Sequence, residues 1–244
     1  MRRVVFVVFV LFLFAGAVFA QPTIEWQTSL GGISYDYAFS IQQTSDGGFI
    51  VAGESQSNDG DVSGNHGGSD YWVVKLNSAG NMEWQKSLGG SDDDGASSIQ
   101  QTTDGGFIVA GRSYSNDGDV SENHGFADYW VVKLNSAGDI EWQTSLGGSS
   151  WDVAYSIQQT ADGGFIVAGA SASNDGDVSG HHGSGDYWVV KLNSAGEIVW
   201  QKCLGGSGGD NAYSIQQTTD GGFIVAGASA SNDGDVSGHH GSGD

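Results

Sequence analysis

The sequence predicts an all-β fold, a β-propeller built from four-stranded blades of 58 residues, and two observations lead to it. First, the phrase Ser-Ile-Gln-Gln-Thr-x-Asp-Gly-Gly-Phe-Ile-Val-Ala-Gly begins at Ser40 and returns every 58 residues, at Ser98, Ser156 and Ser214. A fixed period of this length indicates one supersecondary unit stacked several times. Second, no segment carries the apolar stripe of an amphipathic helix, whereas short β-branched and aromatic runs alternate with turns rich in Gly and Asp.

One repeat, taken from residue 70 to residue 127, predicts four strands joined by short turns. The run Tyr-Trp-Val-Val-Lys-Leu at 71–76 is β-branched and aromatic, and the segment 82–88 alternates apolar and polar residues. A short third strand follows at 98–102, and an Asp-Gly-Gly turn leads into a fourth strand at 107–111. Because the fourth strand is continuously apolar, we expect it to be covered on both faces. Four strands in a repeated meander are typical of a propeller blade; a β-helix or a sandwich is the alternative.

Residues 1–20 are predicted to form a secretory signal peptide. Arg2 and Arg3 give it a basic start, the apolar run 4–14 is too short to span a bilayer, and small or apolar residues precede Gln21. We therefore expect a protein that is secreted, extracellular or at the cell surface, with no membrane span once the signal is removed. The chain then divides into repeats at 24–81, 82–139 and 140–197, with a partial repeat at 198–244.

The repeated motifs identify a family resemblance. Leu-Gly-Gly-Ser-x-x-Asp-x-Ala, Asp-Gly-Gly-Phe-Ile-Val-Ala-Gly and Asp-Tyr-Trp-Val-Val-Lys-Leu-Asn-Ser-Ala-Gly resemble the secreted bacterial and archaeal β-propeller repeat often called the seven-bladed propeller repeat. The resemblance covers the whole chain after residue 20. It implies an extracellular or surface propeller, and it implies no particular chemistry.

The blade count departs from that family. The first repeat begins with a second strand, and the sequence ends at Asp244, where the other three copies continue directly into Tyr-Trp-Val-Val-Lys-Leu. Fifteen strands are predicted, and a ring closed by pairing both termini in one blade needs the strand that is missing. The sequence therefore predicts an incomplete ring, a fragment, with an open blade edge through which the chain could self-associate.

The charge is strongly negative and is concentrated at a few repeated positions. The formal net charge is −21, which argues against nucleic acid and acidic membrane surfaces as partners. Of the 23 Asp residues, 20 lie at five positions of the repeat, those of Asp36, Asp46, Asp59, Asp61 and Asp70. Asp at fixed loop positions indicates turn chemistry or metal ligation.

The loop 59–70 has the spacing of a calcium loop of the EF-hand type. Its twelve residues carry oxygen ligands at positions 1, 3, 5 and 12 and Gly at position 6, so alternate residues could face one Ca²⁺ ion. The ligand positions of the four copies are Asp59, Asp61, Ser63, Asp70, Asp117, Asp119, Ser121, Asp128, Asp175, Asp177, Ser179, Asp186, Asp233, Asp235, Ser237 and Asp244. Position 12 is Asp in place of Glu, and Glu122 replaces Gly in the second copy. The alternative is an Asx-turn loop in which Asp caps backbone amides.

The loops between the second and third strands vary most among the repeats. They keep one Asp and place Tyr35, Tyr37 and Trp151 at their other positions. We expect these loops to share one rim of the disc, so the three aromatic residues form a candidate ligand-contact set. The alternative is drift in a tolerant loop.

The favoured function is a secreted, non-enzymatic binding or structural scaffold. Near-identical repeats produce rings of equal residues, whereas catalysis needs unlike groups that converge on one point. The single cysteine, Cys203, excludes a disulfide framework and a zinc cluster. The expected partner is an extracellular protein or a glycan. The alternatives are a lectin-like carbohydrate-binding module and a fragment of a propeller enzyme whose catalytic blades lie elsewhere.

Overall fold

The computed structural model describes residues 23–241 and 243–244, and this part of the chain is all-β. The predicted signal peptide, residues 1–20, lies outside the described residues. Within the described ranges there are fourteen strands, and no helix there could cross a membrane.

Three four-stranded antiparallel sheets and one two-stranded sheet follow one another along the chain. Neighbouring strands are consecutive in sequence, so each sheet is a meander and the predicted blade-repeat fold is confirmed. Blade 1 consists of β1 (Asp36–Gln43), β2 (Phe49–Ser55), β3 (Asp70–Leu76) and β4 (Met82–Leu88). Blade 2 consists of β5 (Asp94–Gln101), β6 (Phe107–Ser113), β7 (Asp128–Leu134) and β8 (Ile140–Leu146). Blade 3 consists of β9 (Asp152–Gln159), β10 (Phe165–Ser171), β11 (Asp186–Leu192) and β12 (Ile198–Leu204), and blade 4 of β13 (Asp210–Gln217) and β14 (Phe223–Ser229).

The blades begin at a different point from the repeat unit read in the sequence. The predicted second and third strands, at 82–88 and 98–102, belong to neighbouring blades, because β4 ends blade 1 and β5 begins blade 2. The third strand also starts earlier than predicted, at Asp94. The Leu-Gly-Gly segment between these strands is therefore the crossover from the outer strand of one blade to the inner strand of the next.

One predicted strand is absent. Residues 23–30, which carry Trp26, are not assigned to any sheet, so the described part has fourteen strands and not fifteen. The physical reason is the lack of a partner: this segment matches an outer strand, and the described residues hold no Tyr-Trp-Val-Val-Lys-Leu strand beside it. An extended segment without a neighbour has no ladder of backbone hydrogen bonds to hold it.

Consecutive blades pack face to face through apolar side chains. Ile50 and Ala52 of blade 1 lie against Ile99 and other buried residues of blade 2, and the same cluster recurs between blades 2 and 3. The fourth strand of the predicted unit is covered on both faces as expected, since β6 and β10 are almost wholly buried. The described blades do not close into a ring. Ile41 lies on the face of blade 1 that is turned away from blade 2, and it is 64% exposed. Its counterparts, Ile99, Ile157 and Ile215, are each 5% exposed.

Each interface between full blades contains a buried tyrosine. The Tyr71 ring lies 4.6 Å from that of Trp130 (centroid to centroid), and its hydroxyl donates a 2.9 Å hydrogen bond to the Trp130 carbonyl of the next blade. Tyr129 repeats both contacts with Trp188. A further ion pair, Arg112 to Glu54 at 3.0 Å, occurs between blades 1 and 2, and the counterparts of Arg112 in blades 3 and 4 are Ala170 and Ala228.

The inner strands are joined by glutamine side chains. Gln42 accepts a hydrogen bond from the Gln101 amide at 2.6 Å, and Gln101 in turn accepts one from the Ser45 amide at 2.8 Å. The first Gln of each Gln-Gln pair therefore reaches forward to the next blade, and the second reaches back. The same bonds recur at Gln100 with Gln159, Gln159 with Thr103, Gln158 with Gln217, and Gln217 with Ala161.

Replacing Tyr129 with Phe should lower the free energy of unfolding by about 1 kcal/mol, because the buried Trp188 carbonyl loses its donor. Chemical denaturation followed by circular dichroism measures this. The control is Tyr213→Phe, a half-exposed tyrosine, for which the change should stay within about 0.5 kcal/mol. Equal losses in the two variants would contradict the assigned role of the hydroxyl.

Candidate functional site

The acidic loop that resembles a calcium loop lies between the second and third strands of each blade. Its first two acids bind backbone amides of the crossover that precedes the blade. Asp59 accepts a hydrogen bond from the Ile33 amide at 2.9 Å, and Asp61 accepts one from the Gly31 amide at 3.1 Å. The counterparts with the same partners are Asp117, Asp119, Asp175, Asp177 and Asp233. These carboxylates close the crossover, as in the Asx-turn alternative.

The remaining predicted ligands point to other partners. The Ser63 hydroxyl accepts a 2.7 Å hydrogen bond from Gln85, and Asp70 is buried. In residues 23–241 and 243–244, no group of three or more His, Cys, Asp or Glu side chains is arranged to hold a metal ion. Position 6 does make the expected sharp turn: Gly64 has φ 86°, and Glu122 adopts φ 63° at the same position.

The last acid of the loop pairs with a histidine. Asp70 Oδ2 lies 2.6 Å from His66 Nδ1 and also accepts a hydrogen bond from the His66 amide at 3.0 Å. The pair recurs as His124 with Asp128, His182 with Asp186, and His240 with Asp244. Burial opposes the charged imidazole, but the bond to Asp128 raises the pKa of His124 above its usual value. The spacing of four residues between each histidine and its aspartate is visible in the sequence, but it did not by itself predict the pair.

A second buried aspartate opens the inner strands of blades 2, 3 and 4. Asp94 accepts hydrogen bonds from the hydroxyls of Ser113 and Ser115, the latter at 2.8 Å, and from the Gly90 amide at 2.8 Å. It therefore ties the crossover to the end of β6 and to the loop that follows. Burial raises the pKa of Asp94 and that of its counterpart Asp152, although the serine hydroxyls and glycine amides that bond them favour the charged form.

The two buried aspartates meet at a glycine in each blade interface. A Cβ atom on Gly147 would lie 2.6 Å from Asp128 Oδ1 and 2.7 Å from Asp152 Oδ2, so only glycine fits there. Oδ1 of Asp128 is buried and has no hydrogen-bond partner among the described atoms. Burial, together with the charge of Asp152, raises the pKa of Asp128 in spite of its bond with His124. The two carboxylates thus come close at this glycine, where Oδ2 of Asp152 accepts hydrogen bonds from the Gly148 amide and the Ser173 hydroxyl and Oδ1 of Asp128 has no such donor.

One variable loop and the connection between β6 and β7 bring three aromatic residues together at the boundary of blades 2 and 3. The Phe126 ring lies 5.5 Å from that of Tyr114, edge to face, and 6.3 Å from that of Trp151, nearly parallel at 16°. Phe126 and Trp151 are 59% and 53% exposed, and they line a depression of about 440 Å³ with Ser149, Ser150 and Ala172. We call Tyr114, Phe126 and Trp151 the aromatic cluster.

The aromatic cluster differs from the predicted contact set. Tyr35 and Tyr37 lie on blade 1, where Tyr35 stacks on Tyr37 and Tyr37 stacks on Phe39. Trp151 therefore has Tyr114 and Phe126 as its aromatic partners, and sequence analysis missed both. The sequence did contain a signal for the cluster, because few repeats have an aromatic residue at each of these three positions. The counterparts of Tyr114 are Gln56, Ala172 and Ala230, those of Phe126 are Gly68 and Ser184, and those of Trp151 are Tyr35, Asp93 and Gly209.

Part of this chain resembles a known protein. No protein-family model matches the sequence. A stretch of 137 residues, 52% of this chain, is 28% identical to the regulatory protein FlaEY of Caulobacter vibrioides, and the match covers 14% of that protein. The chain thus spans a small part of the length of the relative it matches.

Asp128→Asn should stabilise the protein at neutral pH by about 1 kcal/mol, because an amide can donate where two carboxylates now face each other. The raised pKa of a buried carboxyl means that its charged form destabilises the fold above that pKa. The penalty disappears as the pH falls toward the usual value of 3.8, so the advantage of the variant should shrink with acidification. Denaturant unfolding at neutral pH and at about pH 4 measures both effects.

The matched control is Asp104→Asn. Burial acts against its charge, but bonds with Thr102, Gly106 and Lys133 lower the pKa of Asp104 to about 2. This variant should lose stability at neutral pH, and the loss should diminish below pH 3.8. If Asp128→Asn also destabilised the protein at neutral pH, the carboxylates would not repel each other as argued.

Proposed function

We propose that this protein is a secreted or cell-surface β-propeller scaffold without enzymatic activity, and that the aromatic cluster is its ligand-contact surface. One observation carries the proposal. In a chain whose repeats are nearly identical, three aromatic side chains that most repeats lack converge on one exposed spot. Exposed aromatic residues that stack are typical of binding surfaces.

The reactive side chains support a role in binding and not in catalysis. The thiol of Cys203 is buried, and burial raises its pKa to about 12, which leaves no thiolate at neutral pH. Each histidine of the His–Asp pairs is repeated with the same structural partner in every loop. Enzymatic activity would need unlike groups supplied from outside the described blades.

A glycan is the ligand class that the aromatic cluster favours, which makes a lectin-like module the second candidate. Phe126 and Trp151 present nearly parallel rings beside Ser149 and Ser150. Ring faces can stack on the apolar face of a sugar, and hydroxyls beside them can bond its oxygen atoms. An extracellular protein with an apolar contact patch is the other partner that the cluster fits.

Binding should depend on aromatic side chains in the cluster. We expect the Trp151→Asp and Phe126→Ser variants, each of which introduces the residue found at that position in another repeat, to lose binding to a glycan array or to extracellular protein by at least about tenfold. Trp151→Tyr keeps a ring and should retain most of the affinity.

Two controls separate this surface from the two predicted contact residues that lie on blade 1, Tyr35 and Tyr37. Tyr35→Asp removes an exposed aromatic residue at the same repeat position and should leave the affinity unchanged. Circular dichroism melts should show that all variants stay folded. Loss of binding in Tyr35→Asp but not in Trp151→Asp would transfer the function to blade 1 and refute the aromatic cluster.

We also retain Ca²⁺ as the proposed cofactor of the acidic loops. The support is electrostatic: Oδ1 of the last loop acid is buried without a partner among the described atoms in Asp70, Asp128 and Asp186, in a chain of net charge −21. Asp59 and Asp61 also accept hydrogen bonds from backbone amides, so calcium binding and amide capping need to be distinguished by experiment.

Two double variants distinguish calcium binding from amide capping. Asp59→Asn with Asp61→Asn keeps oxygen acceptors for the amides, whereas Asp59→Ala with Asp61→Ala removes them. If calcium binds, millimolar calcium should raise the Tm of the parent over that in chelator, and both variants should lose this increase. If the parent melts at the same temperature in calcium and in chelator, calcium is excluded, and the Ala variant alone should then be destabilised.

A further inference from the structure

A second depression adjoins the one at the aromatic cluster. It has a volume of about 120 Å³, and its lining includes Trp151, Val153, Tyr155, Ser184 and Asn211. Trp151 and Ala172 line both depressions. The second depression reaches from blade 3 to β13, the first strand of blade 4, whereas the first lies at the boundary of blades 2 and 3. Trp151 therefore lies where the two depressions meet, and a ligand that extends past it contacts both.

The second depression exists because three of its lining side chains are small. They are Ala170, Ala172 and Ser184, and their counterparts in blade 2 are Arg112, Tyr114 and Phe126. In blade 2, Tyr114 and Phe126 pack against one another, and Arg112 pairs with Glu54. The corresponding place is thus filled by long side chains in one blade and left open in the next. The differences among repeats that form the aromatic cluster also leave space beside it.

The backbone around Trp151 is hydrogen-bonded on two sides. The Ala172 amide donates to the Trp151 carbonyl at 2.7 Å, and the Asp152 amide donates to the Ala127 carbonyl, just before β7 of blade 2, at 2.7 Å. Trp151 and Ala127 form a parallel bridge between the two blades. A side chain whose backbone is already fixed loses less conformational entropy when a ligand covers it. The Trp151 ring is therefore a pre-organised platform between the two depressions.

The second depression contains three uncharged polar side chains, the hydroxyls of Tyr155 and Ser184 and the amide of Asn211. A hydroxyl both donates and accepts hydrogen bonds, and a primary amide presents two donors beside an acceptor. Such groups match the hydroxyls of a sugar, each of which also donates and accepts. The aromatic wall formed by Trp151 suits the apolar face of the same ring.

The position of Tyr155 results from a β-bulge in β9. The register with β10 shifts between Ala168 and Gly169, and Tyr155 is the extra residue without a partner at that shift. A bulge turns the direction of its side chain away from the regular alternation of the strand. The Tyr155 ring is supported by Tyr213, edge to face, with the centroids 5.3 Å apart. The bulge and this contact hold the Tyr155 ring at the second depression.

Neither depression has a charged side chain among its described lining residues. The chain as a whole carries a formal net charge of −21, so its field repels anions. No cation in the described lining offsets that repulsion. The two depressions therefore favour a neutral sugar over a uronic acid or a sulfated sugar.

We propose that the ligand of this surface is a neutral oligosaccharide of at least two units, which crosses Trp151 with one unit in each depression. The proposal rests on the glycan-binding function proposed for the aromatic cluster and adds a second subsite to it. One unit stacks on Phe126 and Trp151, and the next hydrogen-bonds to Tyr155, Ser184 and Asn211. Linking the two units raises the affinity, because the second contact becomes intramolecular once the first has formed.

The test measures binding of the full chain to linear neutral oligosaccharides of one to four hexose or N-acetylhexosamine units, together with their uronic-acid and sulfated counterparts. A glycan array identifies the series that binds best, and titration calorimetry gives its Kd at each length. The affinity should rise at least about tenfold from one unit to two, and the anionic counterparts should bind more weakly.

The other outcomes separate this proposal from the function on which it rests. Equal affinity for one unit and two would overturn the second subsite and leave glycan binding at the aromatic cluster intact. Tighter binding of the anionic counterparts would overturn the assigned ligand class. Binding of no glycan at all would refute this proposal together with the glycan function.

Matched variants locate the second subsite. Asn211→Val introduces the residue that blade 3 has at this position, and Tyr155→Phe removes one hydroxyl; each should weaken disaccharide binding by roughly fivefold and leave monosaccharide binding unchanged. Trp151→Asp should abolish binding of both. Tyr37→Val changes the same repeat position as Asn211→Val, but on blade 1, and should affect neither. If Asn211→Val and Tyr155→Phe weakened monosaccharide and disaccharide binding equally, they would act through the aromatic cluster or the fold, and the second subsite would be refuted.

Discussion

The crossover between blades depends on one buried carboxylate, that of the aspartate opening each inner strand. Asp94 binds Ser113, Ser115 and the Gly90 amide, and so fixes the direction in which the chain leaves β4 and enters β5. A buried carboxylate that accepts several hydrogen bonds holds its neighbours firmly, and leaving any of those donors unpaired would be costly. This crossover geometry is required for the face-to-face packing of the blades. It is equally required for the contact of Tyr71 with Trp130 and for the glutamine hydrogen bonds between inner strands.

The strands could be predicted from the sequence, because alternation, β-branched runs and Gly turns are local signals. The grouping of strands into blades could not. The connections 89–93 and 102–106 have equal length, yet the first crosses between blades and the second makes a hairpin. The acids of the loop were ambiguous for a similar reason, since a carboxylate that binds a metal and one that caps an amide occupy the same kind of turn. The amide bound by Asp61 belongs to Gly31, thirty residues away in sequence.

Repetition separates structural from functional residues in this chain. Some positions that keep their identity among the repeats, such as Asp70 and Tyr71, are buried and contact the next blade or their own loop. Positions that change lie on the rim, where substitution costs little stability. The repeats can thus be compared with one another as homologues would be. Tyr114 and Phe126 stand out in that comparison, although neither is conspicuous within its own loop.

The ion pair between Arg112 and Glu54 has a consequence for how the chain assembles. Residues 162–186 and 220–244 are identical, so a newly made hairpin could dock as well on a wrong blade as on its proper one. Tandem domains with near-identical sequences are prone to such exchange and to misassembly. The ion pair can form only between blades 1 and 2, because Ala170 and Ala228 cannot replace Arg112. It therefore favours the correct pairing of these two blades over a wrong one. Some of the variation among repeats then specifies which blades become neighbours during folding.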